Sequence, residues 1–453
     1  MGALSLATQC PGRMVGSPNQ KARSCFSVNV RCLERRVSSG KPVVPTGLYS
    51  FASFVRDAAS ARTLERGTRM TDRHHPDHTQ RAGVVLHQPA GAMRLDPQTV
   101  LAGMGLADLE SEVIATWHTH NGQDRLQLRL CRDAIHQCAR GLDTLHLSDQ
   151  LRLQSQANTA DLQREIAITL LMGPVPYEYP SVAELLSAMA IRRNMVLAAR
   201  NTCLTFHTSA AERPADYWLW DEDRGFVIRP DVSLIDALVK ATQPDTSGTK
   251  YAFSCYRASE YVIVLGIAQE LQHCNPALFQ DLQALWTQRP IRSAEFHEVF
   301  LREIGSMEQP LPARYFVPGD RTWFRNPDGA SSDASGFEGS WVTYLGGGLF
   351  TNFWDCRKPY TLTDKCVEIY HWRHGLYTDD EGEARIDEAR IAPLIEATKQ
   401  DPNELQQVLH RMCRYREPRG VYTEAGGCLD TTREFARWVH PGSSDLRLPV
   451  VHA

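Results

Sequence analysis

The stretch "SVAELLSAMAIRRNMVLAAR" repeats Val182, Leu185, Leu186, Met189 and Val196 on one helical face, and Ser181 with Glu184 forms a capping-box start signal. Upstream, the three prolines of "MGPVPYEYP" interrupt a helical pattern that runs to Leu171. Asp216 to Pro230, "DYWLWDEDRGFVIRP", reads as a hairpin, with aromatic and β-branched runs around an acidic, Gly-containing turn. Helical spacing returns over Ser233 to Thr242, Phe279 to Trp286, Ala294 to Ile304 and Arg385 to Arg416. Arg314 to Trp354 is patterned for strands. "ARYFVPGDRTWFRNP" gives two short β runs around Pro318-Gly319-Asp320, and "WVTYLGGGLFTNFW" a hairpin through three glycines. Helices followed by antiparallel strands predict an α+β fold.

One stretch is apolar on every side. In "YAFSCYRASEYVIVLGIAQEL" (251–271), the run Tyr261 to Ala268 is bounded by mixed polar residues and is too long in context for a strand. It predicts a central helix from Cys255 to about Gln272. It is also the longest apolar run and is far shorter than the roughly 18 residues of a membrane span, so no membrane partner is expected.

The chain has 453 residues and a net charge of -4, which points to neither nucleic acid nor an anionic membrane surface. Twelve cysteines without a C-x-x-C pair predict neither a disulfide scaffold nor a zinc site, and a reducing, cytoplasmic setting is expected. From Met1 to Arg69 there are eleven Lys/Arg against three Asp/Glu, with Cys10, Cys25 and Cys32 in no periodic pattern. That composition suits a disordered tail, a transit peptide or a start site placed too early, since Met70 opens a different stretch. The expected organisation is a tail over 1–90, a helical extension over 91–175, a core over 176–380 and a mainly helical extension over 381–453.

A thiol at residue 255, opening a buried helix, sits where unpaired N–H groups and the helix dipole favour a thiolate. The alternative is an ordinary buried cysteine. Several segments tip the balance. "YEYPSVAELLSAMAIRRNMVLAAR", "YWLWDEDRGFVIRPDVSLIDAL", "KYAFSCYRASEYVIV", "PGDRTWFRNPD" and "GSWVTYLGGGLFTNFW", in that order, resemble the spore-coat-type bacterial transglutaminases (protein-glutamine γ-glutamyltransferases). The resemblance covers about Tyr177 to Tyr377. It implies a papain-like, NlpC/P60-related core with no cofactor and no metal, and Cys255 as the nucleophile. It also implies protein substrates bearing glutamine and lysine.

The family's other site residues are replaced. The glutamate before the nucleophile falls on Ser254, the catalytic glutamate on Ser340, and the histidine on Phe353, or on Asn352 if the strand slips by one. Neither serine, asparagine nor phenylalanine handles protons near neutral pH. Glu338, His371 and His297 are candidate substitutes, each more simply read as a surface or core residue. His371 and His374 could hold a metal but lack an evident third ligand. His118 and His120 of "HTH" are taken as solvated or structural. Gly346-Gly347-Gly348 is a turn, not a phosphate loop. The expected activity is a weak glutamine-to-lysine acyl transfer. An inactive relative serving as a binding or structural module, and a cysteine hydrolase, are the alternatives.

Overall fold

The computed structural model describes residues 82–89, 91–120, 122–206, 211–221, 225–418 and 422–450. They lie in the second of two compact units, Tyr49–Ala453. The expectations for residues 1–69, with their three cysteines, fall outside them.

Strand β1 (Val84–Pro89) is followed by helix α1 (Pro97–Gly103), strands β2 (Val113–His120) and β3 (Gln123–Leu130), and helices α2 (Arg132–Cys138), α3 (Leu147–Leu151) and α4 (Thr159–Leu171). Then come β4 (Tyr177–Tyr179), α5 (Val182–Asn201), β5 (Thr205–Phe206), β6 (Trp218–Asp221), β7 (Gly225–Ile228), α6 (Leu234–Thr242), α7 (Pro244–Ser247), β8 (Ala252–Phe253) and α8 (Cys255–Cys274). The remainder is α9 (Pro276–Gln288), α10 (Ser293–Phe300), β9 (Leu301–Ile304), β10 (Arg321–Arg325), α11 (Gly329–Ser332), β11 (Gly339–Gly346), β12 (Leu349–Phe350) and β13 (Tyr360–Thr361). It ends with α12 (Leu362–Gly375), β14 (Leu376–Thr378), β15 (Ala384–Ile386), α13 (Glu388–Gln400), α14 (Pro402–Met412) and β16 (Arg433–Ala436).

The main sheet has six strands in the order β13-β12-β11-β10-β16-β9, every neighbouring pair antiparallel. Helices α5 and α8 pack on each other and on β11. A Cβ at Gly266 would meet Met195 and the Ile191 backbone, so glycine there lets the two helices cross closely. Val262, Ile263, Val264, Leu265 and Ile267 of α8 are all buried, as a helix apolar on every face requires. A second core, with Phe316, Phe324, Val367 and Met412, lies where α12 and the segment after it meet the sheet.

Three of the expected segments hold other elements. Residues 84–89 are not tail: β1 sits in a four-stranded sheet of order β2-β3-β1-β4. The 91–175 region is therefore not purely helical, since β2 and β3 form its hairpin. The C-terminal region is no mere extension, because β16 lies between β10 and β9 inside the main sheet. Helical spacing at 294–304 also breaks early, and 301–304 is β9, drawn into the sheet by its pairing with β16.

Candidate active site at the start of the central helix

The lead-in to Cys255 is held from both sides. β8 pairs in parallel with β5. The Arg213 guanidinium sits 3.5 Å over the Phe253 ring and donates through Nε to the Tyr261 hydroxyl at 3.0 Å. Ser254 is the N-cap, its hydroxyl accepting from the Arg257 N–H at 3.3 Å. Cys255 is thus the first residue of α8. Its part-exposed side chain lines a cavity of about 510 Å³ with Ser340, Asn352, Trp354, Tyr360, Lys365 and Trp372 among the other wall residues.

The sulfur faces the Trp341 N–H, with the Lys365 ammonium and the Arg321 guanidinium nearby. Burial pushes the Cys255 thiol up, and these groups, with the Tyr256 N–H, offset that only in part. The helix start alone would lower it; here desolvation wins. Arg321 is buried, 3.7 Å over the Trp341 ring, and paired with Glu434 at 2.6 Å. Lys365 is 2% exposed, 2.9 Å from a Glu368 oxygen and 3.6 Å above the Tyr360 ring. Burial pulls its ammonium down, but Glu368, Tyr360 and Cys255 outweigh burial and hold it above the usual lysine range.

Ser340, in β11 opposite Phe324, lines the cavity. Phe353 does not line it: it is 3% exposed in the main core, and its carbonyl accepts from the Leu204 N–H at 2.7 Å. Asn352 is the residue facing the cavity. Its Oδ1 accepts from the N–H groups of Trp354 and Asp355, each at 3.1 Å, and its Nδ2 donates to the Lys358 carbonyl at 2.9 Å. Residues 340 and 353 are not cross-strand partners, because β12 ends at Phe350.

None of the three candidate substitutes lines the cavity. Glu338 is exposed and accepts from the Gly336 N–H at 3.1 Å. His297 is half-exposed, 3.5 Å from a Glu434 oxygen. His371 is buried. It meets His374 Nδ1 to Nδ1 at 2.9 Å and the Thr398 hydroxyl at 2.8 Å, and that hydroxyl donates to Glu404 at 2.8 Å. Among the described residues, no group of three or more His, Cys, Asp or Glu is placed to hold a metal ion. His118 is on an exposed strand, 3.4 Å from Gln127. The glycine turn is held by the buried Glu165, which accepts from the Gly347 N–H at 3.0 Å.

Sequence reasoning missed the cation. Lys365, Glu368 and Trp372 share a face of α12, a helix it did not predict. A signal existed, because Thr361 and Asp364 form a capping box that opens this helix.

The family model of protein-glutamine gamma-glutamyltransferase matches residues 144–440, well over half the chain. The chain belongs to that family. One matching solved structure is "Transglutaminase from Geobacillus stearothermophilus (without C-terminal extension)", 23% identical, with a TM-score of 0.32, covering 42% of this chain and 85% of that one. No curated protein matches. The transglutaminase match extends well past residue 380, in agreement with the place of β16 in the sheet.

Proposed function

We propose that this transglutaminase-family protein transfers the acyl group of a protein glutamine side chain to a lysine amine through a Cys255 thioester, slowly. The carrying observation is Cys255 at the start of the central helix, on the wall of an open cavity beside a buried, ion-paired lysine. A helix bearing the nucleophile at its first residue and packed on an antiparallel sheet also supports a papain-like, NlpC/P60-related core.

In this reading the Cys255 sulfur attacks the amide carbon, ammonia leaves, and the lysine amine displaces the sulfur. The Lys365 ammonium favours the thiolate by charge and is the proton donor for departing ammonia, with Glu368 fixing its position. Its raised pKa makes it a poor base, so deprotonation of thiol and amine is the slow part.

The test is incorporation of a fluorescent amine into a glutamine-rich protein, with ammonia measured in parallel. Cys255→Ala should abolish both signals, and Lys365→Met should lower them about 10²–10⁴-fold, the usual worth of a positioned proton-transfer group. Full activity in Cys255→Ala would sink the reading. Ammonia release that is indifferent to added amine would instead assign a hydrolase. One observation favours a non-catalytic binding module, namely the thiol held above its usual range. Absence of both signals even above pH 9 would establish that module.

A further inference from the structure

Three cysteine sulfurs meet in the second core. Cys366, in α12, lies 3.5 Å from the Cys413 sulfur and 3.4 Å from the Cys428 sulfur. Cys413 is the C-cap of α14, which packs on α12, and its N–H donates to the Leu409 carbonyl at 2.9 Å. Cys428 lies in a segment pinned to that cap. Its N–H and its thiol both donate to the Met412 carbonyl, at 2.9 and 3.1 Å. The Gly427 N–H reaches the Tyr415 carbonyl at 2.9 Å, and the Leu429 N–H the Arg414 carbonyl at 3.0 Å. A Cβ at Gly427 would overlap the Arg414 backbone, so the two segments are seated against each other without slack. Cys366 and Cys428 are buried, whereas Cys413 is part-exposed and gives access from solvent.

We infer that Cys366 and Cys413 are a disulfide site, closed by exchange with a small disulfide and joining α12 to the end of α14. The Cys413 thiolate attacks one sulfur of the small disulfide, whose S–S bond breaks. A mixed disulfide forms and one small thiolate leaves. The Cys366 thiolate then attacks the Cys413 sulfur, forming the S–S bond within the protein and expelling the second small thiolate. Two protein thiols are oxidised by two electrons, and one small disulfide is reduced to two thiols, which take up the two protons.

Exposure sets the order of these steps, because Cys413 is the sulfur that a dissolved disulfide reaches and Cys366 is in contact with it. Cys428 also touches Cys366, but it is buried and its thiol hydrogen is taken by the Met412 carbonyl. The surroundings make the bond slow to form and hard to break. The Cys413 contact favours an ionised Cys366, but Cys428 and burial outweigh it and hold Cys366 well above the usual range. Contact with Cys366 and burial hold Cys413 above it as well. Protonated thiols exchange slowly near neutral pH. They also leave the reduced pair without the thiolate stabilisation that makes some disulfides strong oxidants, so the closed form resists reduction. Cys366 adjoins Lys365 on the wall of the Cys255 cavity, so the bond holds the helix that presents that lysine. The inference does not depend on Cys255 chemistry.

The experiment equilibrates the full chain with oxidised glutathione at about pH 8.5, near the pKa of a free thiol. Free thiols are then blocked with N-ethylmaleimide, and peptides are mapped by mass spectrometry. A peptide pair joining residues 366 and 413 should accumulate, faster as the pH is raised, with Cys428 alkylated, and dithiothreitol should reverse it. Closure should raise the melting temperature, because a bond between residues 47 apart restricts the unfolded chain. Cys413→Ser, which alters a part-exposed position, should form no bond at Cys366 and show no such rise. Alkylated Cys366, Cys413 and Cys428 after equilibration would overturn the inference. So would a bond from Cys366 to Cys428 with Cys413 alkylated, or one at Cys366 that persists in Cys413→Ser.

Discussion

Two influences oppose each other at the Cys255 sulfur. The first turn of α8 offers N–H groups that favour a thiolate, and the surrounding wall removes the water that would solvate it. Desolvation is the larger effect, so the neutral thiol is the resting form. Alkylation of Cys255 should therefore keep accelerating past about pH 9, whereas Cys203, held below the usual range, should level off at lower pH. Site-resolved iodoacetamide rates across pH would read this, and a Cys255 plateau near neutrality would contradict it. The same contrast of neighbours guides repair of the site. Ser340 and Asn352 both face the cavity, so Ser340→Glu with Asn352→His should raise amine incorporation, and adding Cys255→Ala should remove the gain. Phe353→His should instead destabilise the fold, because an unpartnered imidazole in an apolar core costs about 1–3 kcal/mol. A thermal melt that left Phe353→His unchanged would refute the core placement.

Helices that satisfy their own backbone were legible in the chain, and segments completed by distant side chains were not. Ser181 caps α5 as its spacing implies, accepting from the Glu184 N–H at 3.1 Å. Glu184 does not return the bond; its carboxylate takes the N–H groups of Val439 and His440 and the Ser443 hydroxyl. Residues 314–317 have a β-like pattern yet form no strand. Thr144 exchanges both bonds with the Phe316 backbone at 2.8 Å, and Asp320 accepts from the Val317 N–H at 2.7 Å, so the polar groups are met without a neighbouring strand. Likewise the glycine run was readable as a turn, but its anchor 182 residues upstream, Glu165, was not. Gly346 has φ +80°, and a Cβ there would fall 2.7 Å from a Glu165 oxygen. Gly346→Ala should thus cost roughly 1–3 kcal/mol in crowding, with strain at positive φ added. Denaturant titration checks this, and a neutral result would mean that Glu165 does not clamp the turn.

The site at residue 255 depends on the far end of the chain. β16 fills the gap between β10 and β9, and it brings Glu434 to the buried Arg321 that lies over Trp341 beside Cys255. The segment just after it supplies all three donors to the Glu184 carboxylate, so the start of α5 is also closed from there. Cutting the chain after Cys428 would leave the buried Arg321 and Arg325 without Glu434 and Asp430, strip the Glu184 carboxylate of its donors and split β9 from its sheet. Removing one partner of a buried ion pair typically costs about 3–5 kcal/mol. A domain is commonly stable by only about 5–15 kcal/mol, so two such losses plus a lost strand should exceed the margin. The truncated chain should therefore lack a cooperative thermal transition and precipitate, whereas Glu434→Gln, which keeps an acceptor and the strand, should still melt cooperatively at a lower temperature. A truncated protein that melts like the full chain would show that the core closes without β16. Helix α8 would then be held by the 176–380 region alone.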